Sequence, residues 1–197
     1  MQHIFEKAAG DYTLVLLHGT GGNEHNLIPL AKQLAPDKHR LAIRGNVNEN
    51  GSLRFFKRKA EGVYDLKDLE ERSVELGRFI LEAAKIYNFD PQKTILLGFS
   101  NGANIATHLL LHQNFTFRYG ALLSPLYPQE IDLERDLSSH QYFISMGKND
   151  PLCSMEENEI LLRKFNKLEI KTSIVWGDGH NINQEISTSL AKWLKKF

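Results

Sequence analysis

Three side chains of complementary chemical type occupy comparable places in this chain. Ser100 stands in Gly98-Phe99-Ser100-Asn101-Gly102, between an apolar run and an Ala- and Ile-containing segment. Asp150 stands in Gly147-Lys148-Asn149-Asp150-Pro151, and His180 closes Gly177-Asp178-Gly179-His180. A serine hydroxyl is a poor nucleophile until a base takes its proton. Imidazole can do so near neutrality, since its ordinary pKa is about 6.5. A carboxylate then holds the ring in the right tautomer and stabilises the imidazolium. The chemistry available to this set is attack of a serine oxygen on a carbonyl carbon.

That attack creates an oxyanion, which needs hydrogen-bond donors. His18-Gly19-Thr20-Gly21-Gly22 is a glycine-rich turn following the apolar run Thr13–Leu17. Such a turn exposes backbone N–H groups, and the first amide after the nucleophile is a natural second donor. The backbone amides of Thr20 and Asn101 are the expected pair. A phosphate-binding loop is the competing reading of these glycines. The segment is not G-x-G-x-x-G, however, and no Lys-Ser/Thr pair follows it.

Other reactive residues fit less demanding roles. His18 is expected to fix the glycine loop by hydrogen bonding. Asp178 reads as a turn residue, and Asp132 and Asp136 as solvated carboxylates. His108 and His112 have a metal-like spacing, but His-Leu-Leu-Leu-His lacks the glutamate of H-E-x-x-H, so a surface or hydrogen-bonded pair is expected there. Cys153 has no glycine elbow around it and reads as a bystander.

The elements that must position the three residues follow from hydrophobic patterning. Thr13–His18, Arg40–Arg44, Lys93–Phe99, Tyr119–Ser124, Gln141–Met146 and Ile170–Trp176 are near-continuous apolar runs, as expected of strands covered on both faces. His3–Glu6 adds a short edge strand. Leu66, Leu69, Ser73, Leu76, Ile80, Ala84 and Tyr87 recur at three- and four-residue intervals and predict one long helix with Asp65 as N-cap. Asn101–His112 predicts a second helix. Ser154 with Glu157 has capping-box spacing for a third. Ile186, Leu190, Trp193 and Leu194 mark a last helix capped by Asn183. Strands alternating with helices predict one domain over residues 1–197, with a mostly parallel sheet of about six or seven strands and helices on both faces. Ser100, Asp150 and His180 each follow a strand, at the edge where such sheets build their sites. Gly45–Tyr64 reads as a long irregular loop that walls a pocket or gates it.

Composition narrows the partners. Lys plus Arg and Asp plus Glu both number 24, which gives no bulk field for nucleic acid. The longest apolar runs are too short to span a bilayer, and Met1–Lys7 has no apolar core of signal-peptide length, so stable membrane insertion is not expected and a cytoplasmic location is. One cysteine permits no internal disulfide. A homodimer is left open.

Taken in order, His-Gly-Thr-Gly-Gly-Asn-Glu (18–24), Arg-Gly-Asn-Val (44–47), Arg-Phe-Phe (54–56), Gly-Phe-Ser-Asn-Gly-Ala-Asn-Ile-Ala (98–106) and Asn-Asp-Pro-Leu (149–152) resemble the carboxylesterase/phospholipase branch of the α/β-hydrolases. That group includes acyl-protein thioesterases, dienelactone-hydrolase-like enzymes and small bacterial carboxylesterases. The chain order Ser, Asp, His is also that of the α/β-hydrolase fold. The resemblance implies hydrolysis of carboxylic esters or thioesters without metal or cofactor, on Ser100, Asp150 and His180 with oxyanion donors at Thr20 and Asn101. Small to medium acyl substrates are expected, and 197 residues leave little chain for a large cap. Lysophospholipase, acyl-thioesterase or lactone hydrolysis would use the same residues, as would a peptidase or a C–C hydrolase. A binding protein on this fold would leave them idle. Serine in place of cysteine weakens the lactone reading, and Asn181-Ile182-Asn183 departs from the family's more usual sequence after the histidine. Phe55, Phe56, Leu126 and Tyr127 are expected either to wall the substrate pocket or to pack in the core. Arg44 is expected either to orient an acidic substrate or to pair with a loop carboxylate.

Overall fold

A computed structural model of the chain describes residues 1–60, 62–129 and 136–197. In chain order the elements are β1 (His3–Glu6), β2 (Thr13–Leu17), α1 (Ile28–Leu34), β3 (His39–Ile43), β4 (Val47–Glu49), β5 (Ser52–Arg54), β6 (Arg58–Ala60), β7 (Val63–Tyr64), α2 (Leu66–Tyr87), β8 (Thr94–Phe99), α3 (Asn101–His112), β9 (Tyr119–Leu123), β10 (Gln141–Gly147), α4 (Met155–Lys167), β11 (Lys171–Gly177) and α5 (Gln184–Leu194). Seven strands form one sheet in the order β1-β3-β2-β8-β9-β10-β11. Only β1 runs antiparallel to its neighbour.

The apolar strands split by parity, because successive side chains of a strand point to opposite faces. Val15, Leu17, Leu96 and Leu122 join the core under α2, α3 and α4. Leu14, Leu16, Ile95, Leu97, Ala121 and Leu123 join the core under α1 and α5. The inner strands of the sheet are therefore covered on both faces, which is why they read as near-unbroken apolar runs, while the edge strands β1 and β11 are only partly buried.

Local chemistry sets the helix boundaries. The Asp65 side chain accepts the Asp68 N–H at 3.2 Å, and α2 ends where Asn88 takes a left-handed conformation, φ 55°. Ser154 and Glu157 close the capping box that opens α4, and the Asn183 side chain caps α5 through Ile186 N–H at 2.9 Å.

Two parts depart from the sequence reading. The short helix α1 was not expected, and Gly45–Tyr64 is not irregular. The latter holds two hairpins, β4–β5 and β6–β7. Asn50 and Gly51 make the first turn with φ of 52° and 91°, the backbone that an Asn-Gly hairpin turn requires.

The connections place the site. From β2 the chain moves one way to β3, and from the adjacent β8 it moves the other way to β9. A sheet whose connections diverge between neighbouring strands opens a crevice at their carboxyl ends. The glycine turn after β2 and Ser100 after β8 both lie at that crevice.

Candidate active site

Ser100 occupies the turn between β8 and α3 with φ 53° and ψ −116°, a costly backbone for any residue but glycine. The turn exists only because its flanks lack side chains. A Cβ on Gly98 would lie 2.4 Å from the carbonyl of Gly102, and one on Gly102 would lie 2.0 Å from the Leu17 carbonyl oxygen. The second contact presses the elbow against the end of β2, next to the glycine-rich turn. Ser100 N–H donates to the Leu123 carbonyl at 2.9 Å, which ties the elbow to β9. Ser124, another residue with positive φ, 49°, follows that strand and lines the same cleft.

The loops after β10 and β11 are zipped together. Lys148 N–H donates to the Gly177 carbonyl at 3.1 Å, and Asn149 N–H to the Asp178 carbonyl at 2.7 Å. Asn149 Nδ2 also donates to the Asp178 carboxylate at 2.6 Å, so Asp178 holds the turn. This pairing brings Asp150 Oδ2 to 2.7 Å from His180 Nδ1. The Asp150 side chain is 1% exposed, and its other oxygen accepts the Leu152 N–H at 2.8 Å. An ionised carboxylate only accepts, so Nδ1 carries the proton and Nε2 of the neutral ring keeps its lone pair. Nε2 is buried and has no hydrogen-bond partner among the described residues. The ring also packs beside Phe99, with centroids 5.1 Å apart.

Ser100 and His180 line one cleft of about 70 Å³ together with Thr20, Asn101, Asn104, Ser124, Leu126, Leu152, Tyr64, Gly62, Arg54 and Arg58. The side chains of Thr20 and Asn101 are engaged away from the reacting centre. Thr20 Oγ1 accepts from Arg54 Nη1 at 2.7 Å, and Asn101 Oδ1 accepts the Phe55 N–H at 2.8 Å. In the glycine turn Gly21 N–H goes to the Leu53 carbonyl and Gly22 N–H to the Gly19 carbonyl. Asn101 is the first residue of α3, so its N–H belongs to the turn that helices leave unsatisfied. His18 pins the loop. Its Nδ1 is 2.7 Å from the Gly19 carbonyl, and its Nε2 accepts Gly45 N–H at 3.0 Å. Burial moves His18 below the ordinary histidine pKa, in keeping with a neutral ring making both bonds.

The expected pocket residues divide. Leu126 lines the cleft. Phe55 and Phe56 do not, for both rings are buried in the core, Phe55 against His18 and Phe56 against Tyr64. Tyr127 is buried as well, with its hydroxyl 2.7 Å from His108 Nδ1. Burying three aromatic rings removes more apolar surface from water than lining a small polar cleft would. Arg44 pairs with Glu24, Nη2 to Oε1 at 2.7 Å and Nε to Oε2 at 2.5 Å, and is not part of the cleft. His108 is held on its other side by Glu70 at 2.8 Å and stacks on His112. Asp136 accepts the Ser138 N–H, and Asp132 lies outside the described residues. Burial raises the Cys153 thiol to about 12, which leaves it protonated at neutral pH.

The sequence reading did not single out Tyr64, Asn104, Ser124 or Leu152, and it reached Arg54 and Arg58 only as members of the Gly45–Tyr64 segment expected to wall a pocket. Tyr64 and Asn104 form one wall: Asn104 Nδ2 donates to the Tyr64 hydroxyl at 2.7 Å, Asn104 Oδ1 accepts Leu126 N–H at 2.8 Å, and the Tyr64 hydroxyl donates to the Leu126 carbonyl. Among the described residues, no group of three or more His, Cys, Asp or Glu side chains could hold a metal, and no helix is long and apolar enough to cross a membrane.

A mostly parallel seven-stranded sheet flanked by helices, with a serine on a strained strand-to-helix turn at its carboxyl edge, is the architecture of an α/β-hydrolase. Residues 4–197 match the Phospholipase/Carboxylesterase family, and the chain belongs to that family. It is 45% identical to MhqD, a protein named as a hydrolase, from Bacillus subtilis (strain 168), over 198 residues that take in 100% of this chain and 98% of that protein. The crystal structure of the Bacillus cereus carboxylesterase superposes with a TM-score of 0.95 at 40% identity, covering 100% of this chain and 94% of that one. YahD, solved with malic acid, superposes with a TM-score of 0.93 at 29% identity over 99% of this chain and 98% of its own. The chain is a hydrolase of this family that acts on esters.

Proposed function

We propose that this hydrolase cleaves carboxylic esters of small to medium size through an acyl-enzyme on Ser100. The observation that carries the reading is the part-buried His180–Asp150 pair at 2.7 Å, with the opposite imidazole nitrogen unpartnered among the described residues in the cleft that Ser100 lines. Nε2 takes the serine proton as Oγ attacks the ester carbonyl. The backbone amides of Thr20 and Asn101 hold the tetrahedral oxyanion at the start of α3, where the helix dipole also favours negative charge. The imidazolium, stabilised by Asp150, then gives its proton to the departing alcohol or thiol. Water activated by His180 releases the acid and restores the hydroxyl. Every proton in the cycle passes through one nitrogen, so the residues present complete the reaction.

The test is turnover of 4-nitrophenyl acetate by Ser100→Ala. Loss of a nucleophile from such a set costs about 10⁶ in kcat. A folded Ser100→Ala protein that keeps more than a few per cent of wild-type turnover would reject the mechanism.

A further inference from the structure

Two arginines, Arg54 and Arg58, face the cleft, and none of its described lining residues is acidic. The hairpins deliver them, Arg54 at the end of β5 and Arg58 at the start of β6. One carboxylate, Glu49, serves both. It accepts Arg58 Nε on its two oxygens at 3.0 and 3.1 Å, whereas Arg54 Nη1 stands 3.7 Å from it, beyond hydrogen-bond distance. Arg54 itself is 4% exposed. Its hydrogen bonds go to the Phe56 carbonyl from Nε and to the Thr20 hydroxyl from Nη1; Nη2 makes none among the described residues.

Elsewhere the chain treats arginine differently. Arg40 donates to Glu6 at 2.8 Å, and Arg44 meets Glu24 with two hydrogen bonds. A buried guanidinium with no hydrogen-bonded carboxylate carries a desolvation cost that an anion would relieve. Its fork of N–H donors matches a carboxylate, which accepts from it more strongly than the carbonyl of a neutral ester can. Arg54 also touches Thr20, whose amide is assigned to the oxyanion, so an anion held there lies close to the reacting carbonyl. The 2.7 Å contact between Arg54 and Thr20 therefore suits a substrate whose two groups are a few bonds apart.

We propose that the substrate is a short ester that also bears a free carboxylate, and that Arg54, assisted by Arg58, is the specificity-determining group that holds it. The inference rests on the reading of Ser100 as nucleophile. The carboxylate could sit on the acyl side or on the alcohol side of the ester, and the experiment separates the two.

Three esters of similar size are compared by pH-stat titration of the released acid: ethyl butyrate, monoethyl succinate with its charge on the acyl side, and O-butyrylglycolate with its charge on the alcohol side. Wild type is expected to prefer one anionic ester to ethyl butyrate by at least tenfold in kcat/KM, and the preferred ester identifies the side. Charge-assisted hydrogen bonds are worth roughly 10- to 100-fold, so Arg54→Gln should lower that preference by about this factor. Arg58→Gln, at the more exposed arginine, should lower it at least threefold and serves if Arg54→Gln does not fold. Hydrolysis of all three esters by wild type with no anionic preference overturns the inference and leaves the Ser100 mechanism standing. An equal fall on charged and neutral esters in Arg54→Gln also overturns it, since Arg54 would then only brace Thr20. A preference unchanged in the variants that fold does the same. Failure of wild type to hydrolyse any of the three overturns the inference, and the Ser100 mechanism falls with it only if 4-nitrophenyl acetate is also left intact.

Discussion

Asp150→Asn isolates the part of the account that depends on a single proton. The carboxylate accepts two hydrogen bonds, from His180 Nδ1 at 2.7 Å and from Leu152 N–H at 2.8 Å, and its side chain is 1% exposed. An amide has one oxygen and one NH₂ in the same volume. If the oxygen stays on Leu152, the NH₂ faces Nδ1, which must then accept; the ring proton moves to Nε2, and Nε2 can no longer take one from Ser100. If the amide turns over, its NH₂ opposes the Leu152 N–H, two donors face each other and that hydrogen bond, worth about 0.5–1.5 kcal/mol, is lost. The first arrangement is the cheaper one, so the wrong tautomer prevails. At a site of this kind the wrong tautomer costs about 10⁴ in kcat, roughly 5.5 kcal/mol of barrier. The assay is steady-state hydrolysis of 4-nitrophenyl acetate at neutral pH, with a thermal melt to establish that the variant is folded. A folded Asp150→Asn protein within tenfold of wild type would refute the reasoning, because the carboxylate would then not be setting the imidazole tautomer.

Three further outcomes follow from the packing. Gly102→Ala drives a methyl to 2.0 Å from the Leu17 carbonyl oxygen, and overpacking against backbone should cost about 3 kcal/mol, ~6–12 °C in Tm, with esterase activity falling alongside; an unshifted melt would contradict the steric reading of the elbow. Phe56→Ala removes a fully buried ring and should cost about 3–5 kcal/mol while leaving the relative rates on acetyl, butyryl and octanoyl esters unchanged; an altered chain-length profile would return Phe56 to the pocket. The Glu24 carboxyl is held below the ordinary glutamate range, chiefly by its hydrogen bond from Arg44 and against the opposing effect of burial. Its contribution to stability is therefore present above the usual glutamate pKa, about 4.3, and is lost as pH falls below it. Glu24→Gln should lower Tm at pH 7 and flatten the fall of Tm between about pH 5 and pH 3; equal slopes for variant and wild type would contradict the assignment.

The sheet and its caps could be read from the sequence because both faces are covered. Strands such as Leu14–Leu17 and Ile95–Leu97 have no solvent side to interrupt their apolar runs, and Asp65, Ser154 with Glu157, and Asn183 announce helix starts through side chains that bond the first-turn amides. Short elements were harder. Helix α1 has seven residues with Pro29 near its start and Ala35 at its end, too few turns for a period to stand out. The β4–β5 hairpin did carry a signal, Asn50-Gly51, which went unused because the flanking strands have three residues each. The grouping of Ser100, Asp150 and His180 was legible because each follows an apolar run at the same sheet edge. The cleft walls were so only in part. Phe55 and Phe56 are adjacent aromatic residues in a loop segment, and whether such rings turn inward depends on the hairpins around them. The segment Arg54–Arg58 was legible as a pocket wall from its place in a long connection, but which of its side chains face the cleft depends on how the hairpins fold, and the two arginines do so while the two rings turn inward.

The central claim is that one hydroxyl in this molecule is chemically activated. Wild type and Ser100→Ala are treated with a fluorophosphonate, digested and analysed by tandem mass spectrometry. The account predicts a single stoichiometric adduct on the peptide containing Gly98–Gly102, located on Ser100 and absent from the variant. An adduct on another residue, or labelling that persists unchanged in Ser100→Ala, would contradict it.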